Sequence, residues 1–354
     1  TTADICGWFS TTWTVDTQVF GTTTIIASGV SVATNVFNIL PEVYSVIPTS
    51  GTVGTMVTIS GTGYAANDAL TVAFGLLCSS GSMIYFNASS GAVTVVAGTN
   101  TGIQTATASQ YGSFTAVFTV DTQAYGTTTI TASGVSVATN VFFILPEVVS
   151  VVPTSGTVGT IVTINGTGYA ANDALTIAFG TNAGIQQAAA SQYGSFTAVW
   201  TVDTQVYGTT TITASGVSVA GNVFRILPAV DNVLPEGTVG TIVTISGTGY
   251  AAGDNIAIAF GNSAYIQTAA ADNRGWFSTT FTVDTQAFGR TTIVASGVSV
   301  ATNVFLIFPE VYSMVPTAGT VGTIVTISGT GYGANENIIL FSDINGHIRT
   351  VADN

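Results

Sequence analysis

One pattern written four times limits this chain more than any other property. Val-Asp-Thr-Gln begins at Val15, Val120, Val202 and Val283, and Gly-Thr-Gly-Tyr ends at Tyr64, Tyr169, Tyr250 and Tyr332. Both series step by 105 residues and then by 81 or 82, so one copy carries an insertion of 24 (105 minus 81) between Phe74 and Gly102. Pro41, Pro146, Pro228 and Pro309 mark the same frame, each after an apolar run. Self-similarity at this period predicts one structural unit repeated in line, each copy with its own core.

Within a unit the hydropathy alternates at period two. Phe114, Ala116, Phe118 and Val120 are interleaved with Thr115, Val117 and Thr119, and no segment shows a 3.6-residue period. In the copy that starts at Pro146 the alternation and the Gly, Asn, Ser and Pro punctuation predict strands near 147–152, 160–165, 174–179, 185–190, 195–202, 208–214 and 220–227. Seven short strands at that spacing predict an antiparallel sandwich of immunoglobulin type. The cysteine pair and core tryptophan of antibody domains are absent, so apolar packing alone must hold each unit.

Composition removes several functions. Of 354 residues 47% are apolar and 6% charged, and the net charge of -13 includes only four cations, Arg225, Arg274, Arg290 and Arg349. Four scattered arginines do not neutralise a run of phosphates, so no nucleic-acid partner is expected. The absence of lysine removes Schiff-base chemistry, P-loop phosphate binding and lysine-built isopeptide links, and His347 is the single histidine. No run of 18 apolar residues predicts a membrane span. The opening Thr1-Thr2-Ala3-Asp4 has neither a basic nor an apolar leader region. With a polar content of Thr, Ser, Asn and Gln, this reads as a mature, processed, extracellular chain.

Residues 41–55, Pro-Glu-Val-Tyr-Ser-Val-Ile-Pro-Thr-Ser-Gly-Thr-Val-Gly-Thr, followed by Val57-Thr58-Ile59-Ser60-Gly61-Thr62-Gly63-Tyr64, resemble the opening half of an IPT/TIG domain. The run recurs from Pro146 and Pro309, and from Pro228 with one residue deleted before Gly237. The second half, Gly-Ser-Phe-Thr-Ala and a final Thr-Ile-Thr-Ala-Ser-Gly strand, is similar to such modules in tandem on prokaryotic surface proteins. The resemblance covers everything but the insertion and implies an all-β chain of Ig-like sandwiches. It implies little about function, since the family serves receptors, transcription factors, enzyme accessory modules and surface stalks alike. The basic loops of its DNA-binding members are missing here.

In this frame the chain divides into 1–40, the last three strands of a unit; 41–145, a unit with a hairpin insertion at about 76–99; 146–227 and 228–308, two plain units; and 309–354, the first four strands of a unit. Asp4 and Asp353 both align with Asp272, so each partial unit supplies what the other lacks. Left uncovered, Phe9, Trp13, Val15, Ile25, Phe37 and Ile39 would each forgo roughly 1.5 to 3 kcal/mol, on the order of 10 to 15 kcal/mol together. Val325, Ile327, Ile338 and Leu340 are the expected facing set. A head-to-tail contact that does not close yields an open filament, so one reading is an extracellular, pilus-like homopolymer joined by strand complementation. The other is a window of a larger cell-surface stalk, surface-layer protein or adhesin that grips glycans or other cells; both are rods of stacked sandwiches.

The remaining motifs have ordinary readings. Gly61-Thr62-Gly63-Tyr64-Ala65-Ala66 mimics a dinucleotide fingerprint but lacks the following helix and recurs in every unit, so it is a turn. The carboxylate series Asp16, Asp121, Asp203, Asp284 and Asp68, Asp173, Asp254, Glu336, with Glu42, Glu147 and Glu310 near the linkers, are lone loop residues; no metal and no cofactor is expected. His347 near Asp343 has no poised nucleophile, and no enzymatic activity is expected. Asn87-Ala88-Ser89, in an insertion read as a hairpin of Met83 to Asn87 and Ala92 to Val96, and Asn165-Gly166-Thr167 are glycosylation sequons. Cys6 and Cys78 are candidates for a bridge within or between subunits, or equally a free pair. Tyr85 and Phe86 are the candidate aromatics for adhesion.

Overall fold

The computed structural model describes residues 1–74, 85–86, 93–94, 103–180, 185–232, 234–342 and 346–351. Every regular element among them is a β-strand. Three sandwiches follow one another, each a three-stranded sheet packed on a five-stranded one.

The middle sandwich shows how the sequence builds the unit. Glu147–Val152, Ile161–Thr167 and Phe196–Thr201 form the small sheet, with Ile161–Thr167 in the centre. Ser155–Gly156, Val219–Ile226, Gly208–Ser215, Ala174–Phe179 and Ile185–Ala189 form the large sheet in that order. All pairings are antiparallel except the two-residue contact of Ser155–Gly156 with Arg225 and Ile226. The seven predicted strands appear within a residue or two of their expected limits; only Ser155–Gly156 is additional. It is too short for a period-two signal and follows Pro153, which cannot donate to a ladder.

Alternation sets the core. Val162, Ile164, Leu175, Ile177, Phe179, Phe196, Trp200, Ile212, Phe224 and Ile226 point inward as one buried cluster. Equivalent clusters run from Val43 to Ile144 and from Val230 to Ile307. Side-chain hydrogen bonds tie one sheet to the other. Asn222 Nδ2 donates to the Val148 carbonyl at 2.9 Å, as Asn140 does to Val43 and Asn303 to Val230. Asp173 Oδ2 accepts from the Val217 amide at 2.7 Å, holding the far turn against the strand start. Asn67, Asn172 and Asn335 occupy the left-handed region at one loop position of three copies, where a short amide side chain is tolerated, and Gly253 takes it in the remaining one.

Tyr85–Phe86 pairs antiparallel with Val93–Thr94 inside the insertion, the centre of the expected hairpin. Its flanks, with Asn87 and Cys78, lie outside the described residues, and so do Asp343 and Asp353.

The first and last segments are different. Gly21–Ser28 and Val32–Ile39 form a sheet of two strands. Near the other end, among the described residues, Glu310–Val315 pairs only with Thr326–Thr330, and Asn337–Ser342 only with Gly346–Val351.

Candidate functional site

The two partial units carry the largest departure from the pattern of the chain. At equivalent positions Val243 and Ile245 are 0% exposed, whereas Val325 and Ile327 are 43% and 39% exposed. Phe277, Phe281 and Val283 are buried, but their counterparts Phe9 and Trp13 are 47% and 56% exposed and Val15 is also exposed. Ile293 and Phe305 are fully buried; Ile25 and Phe37 are exposed. Ile338 and Leu340 are half-buried where Ile256 and Ile258 are sealed. Ile39 departs from expectation: at 6% exposure it is covered within the chain and adds little to the open face.

Each open face lacks the strand that the other segment holds. In the sandwich 228–308 the edge strand Phe277–Thr282 runs against Ile242–Thr248. The matching residues 9–14 form no strand, and Thr326–Thr330 has no partner on that side. Asn255–Phe260 lies between Ser263–Ala270 and Gly289–Ser296. Its counterpart Asn337–Ser342 lacks the second neighbour, and Gly21–Ser28 lacks the reciprocal one. Residues 318–319 stand where Glu236–Gly237 pairs with Leu306 and Ile307. Three pairings of the complete unit are therefore missing among the described residues of each segment, and they correspond one to one.

Further positions fit this vacancy that hydropathy alone did not single out. Asn35 keeps the local bond to the Val36 amide at 2.8 Å, like its copies Asn140, Asn222 and Asn303, but has no counterpart of their cross-sheet carbonyl. Tyr332 is half-buried, whereas Tyr64, Tyr169 and Tyr250 are completely enclosed. Their recurrence at fixed offsets was the available signal. Burial lifts the Tyr169 phenol to about 12, and burial raises Tyr64 and Tyr250 in the same direction.

A second feature repeats at each boundary. The amides of Phe20, Tyr125, Tyr207 and Phe288 donate to the carbonyl oxygens of Tyr64, Tyr169, Tyr250 and Tyr332 at 2.9, 2.9, 3.0 and 3.2 Å. Each turn after Val-Asp-Thr-Gln thus docks on the tyrosine of the following unit. Arg225 supports one such turn, its Nη2 donating to the Tyr207 hydroxyl at 3.1 Å.

The other sequence candidates find less support. Asn165 lies in a central strand, its Nδ2 donating to Ser150 Oγ at 2.9 Å and its Oδ1 accepting from Thr197 at 2.7 Å. A central position with both amide atoms engaged is a poor glycan acceptor in the folded chain, in contrast to the sequon expectation. Cys6 is exposed and free, and its proposed partner is outside the described residues. Among the described residues no group of three or more His, Cys, Asp or Glu is placed to hold a metal. No described helix is long and apolar enough to cross a membrane. A groove beside Tyr44, Ser45, Thr49 and Phe143 has Asn140 in its wall, but that amide is occupied at both ends.

Fold and surfaces together define a tandem Ig-like β-sandwich protein with two open half sandwiches. No protein-family model matches the sequence, and no curated protein matches it. Among solved structures, the chain is similar to a tetra-tandem repeat in the extending region of a large adhesion protein, at 16% identity over 88% of this chain and 87% of that one, with a TM-score of 0.24. It is similar to invasin, a bacterial integrin-binding protein, at 13% identity over 78% and 62%, TM-score 0.23. It is also similar to the four-domain ectodomain fragment of ICAM-5, at 12% identity over 89% and 91%, TM-score 0.21.

Proposed function

We propose that the chain is a structural subunit of an extracellular filament built from IPT/TIG-like sandwiches. Subunits join head to tail when residues 309–354 of one and residues 1–40 of the next complete one sandwich. The reading is carried by the reciprocal vacancy: each open apolar face is the counterpart of a buried face in three complete units, and the missing strands are present at the other end. Covering Phe9, Trp13, Ile25, Phe37, Val325 and Ile327 offsets an association cost of ~4 to 15 kcal/mol. The partner is an identical subunit, and the work is mechanical, with no catalytic step or cofactor. Negative-stain microscopy and sedimentation of the purified chain test this. Uniform fibres at micromolar concentration are the expected result, and monodisperse short rods at every concentration refute it.

The repeated Tyr carbonyl contact favours one further reading, a repeat segment of a longer cell-surface stalk or adhesin in which covalently linked copies complete the half sandwiches. Identical junctions propagate one stacking step through any number of units. The intact mass of the protein stripped from the cell surface separates the two: a mass near that of this chain supports the filament, and a much larger one the stalk.

A further inference from the structure

We infer that residues 9–14 are a donor strand that orders only against a second copy of this chain, anchored by Phe9 in a seat that Tyr332 covers until the copies join. The inference deepens the head-to-tail reading and rests on it.

Residues 9–14 read Phe-Ser-Thr-Thr-Trp-Thr, and Phe277–Thr282 reads Phe-Ser-Thr-Thr-Phe-Thr. The two differ at one aromatic position, yet only the second is a strand. Propensity is the same, so the difference lies in the missing edge. The turn that launches the strand is already formed. Asp4 Oδ1 accepts from the amides of Cys6 and Trp8 at 2.8 and 2.9 Å, as Asp272 accepts from Arg274 and Trp276 at 2.8 and 2.9 Å. The donor is therefore aimed but unpaired.

The receiving side shows the complementary state. In the complete units a Cβ built on Gly61, Gly166 or Gly247 would strike the ring of Phe114, Phe196 or Phe277. At Gly329 the nearest atom is the Tyr332 ring, so the tyrosine leans over the place that phenylalanine takes elsewhere. In the complete units the two rings sit edge to face at 5.1 to 5.3 Å, as in Tyr250 with Phe277 and Tyr64 with Phe114. Gly7 completes the argument. Its copies Gly112, Gly194 and Gly275 pack under a tyrosine carbonyl and accept from that tyrosine's amide at 3.0 to 3.1 Å, while Gly7 has nothing within 4 Å of a built Cβ. On joining, Phe9 displaces the Tyr332 ring, and the Tyr332 amide donates to the Gly7 carbonyl of the second copy.

The complete units also fix the register. Phe277 faces Gly247, Ser278 faces Ser246 and Phe281 faces Val243, which sets Phe9 against Gly329, Ser10 against Ser328 and Trp13 against Val325. The outward pair is within side-chain reach, since Ser60 and Thr115 at the equivalent site hydrogen-bond at 3.2 Å.

The test is a double cysteine variant of the full chain, Ser10→Cys with Ser328→Cys, in a background where Cys6 and Cys78 are serine. Mild oxidation is expected to give a ladder of covalent dimers, trimers and longer species, and the control Thr14→Cys with Ser328→Cys none. Phe9→Ala is expected to leave the melting temperature of the unjoined chain unchanged while weakening joining about 100-fold. Fibres without the ladder overturn the donor-strand register and leave the filament reading standing. A chain that forms neither fibres nor ladder overturns both, and a fast-migrating cyclised monomer overturns the second copy as partner.

Discussion

The Phe288 amide donates to the Tyr332 carbonyl at 3.2 Å, the fourth instance of a contact that joins each unit to the next. Both partners are backbone atoms, so side-chain identity at the turn is free to vary between Phe and Tyr without changing the joint. At the other three boundaries the carbonyl belongs to a tyrosine enclosed in the core, Tyr64, Tyr169 or Tyr250, so movement there is resisted by the packing of a whole sandwich.

Gly275→Val strikes at that arrangement. Gly275 sits at a φ of 76°, and a Cβ there would run into the Tyr250 carbonyl. The left-handed backbone alone costs a side-chain-bearing residue about 1 to 2 kcal/mol, and the displaced carbonyl adds to it. Thermal unfolding is expected to show a lower transition for residues 228–308, with the neighbouring sandwiches less affected.

Equivalent truncations are expected to differ by position. Ile258→Ala empties a sealed site and is expected to cost about 2 to 5 kcal/mol in denaturant unfolding. Leu340→Ala, at the half-buried counterpart, is expected to cost well under half of that in the dilute chain and the full amount once copies have joined. Equal losses in the dilute chain would show that the half sandwich packs by itself.

Asn222→Ala removes the sheet-to-sheet bond to the Val148 carbonyl and is expected to destabilise its unit by about 1 to 2 kcal/mol. Asn35→Ala is expected to be silent in the dilute chain and to weaken joining, because its carbonyl counterpart, that of Val311, lies on the other half. Chemical denaturation of both variants, below and above the concentration at which fibres form, reads the difference.

The enclosed tyrosines predict an alkaline limit. The Tyr169 phenol is pushed up to about 12 by burial, against about 10 in the unfolded chain. Its stabilising contribution is complete below pH 10 and is lost as pH rises through the folded value, because only the unfolded state readily releases the proton. Thermal melts are expected to hold their midpoint up to about pH 10 and fall between pH 10 and 12. Tyr169→Phe is expected to reduce that fall at little cost near neutrality, since the Tyr169 hydroxyl has no partner while Tyr250 donates to the Ala295 carbonyl at 3.2 Å.

Much of this was legible in the sequence, and the reason is repetition. Phe114, Ala116 and Phe118 alternate so cleanly with threonine and valine that strand, face and core follow together, and Gly-Thr-Gly-Tyr fixes the frame of each copy. Pairings set by tertiary closure were not legible. The parallel contact of Ser155–Gly156 has no period of its own, and Ile39 is buried because Val32–Ile39 passes directly into the first complete unit. Asn165 has the same local sequence whether its amide is free or bonded to Ser150 and Thr197. Tyr332 and Gly7 were visible as repeated letters, but only the geometry of the complete units shows what packs against each equivalent position.

The insertion leaves the first sandwich after Ala69–Phe74 and returns as Ile103–Thr107, at the outer margin of the large sheet. In the plain units the corresponding strand end abuts the docking turn, the Phe179 carbonyl accepting from Gln205 Nε2 at 3.2 Å two residues before Tyr207. Extra sequence introduced at this point therefore enters beside a turn that links two sandwiches, so a graft here is placed where it reports on, and bears on, the stacking of neighbours.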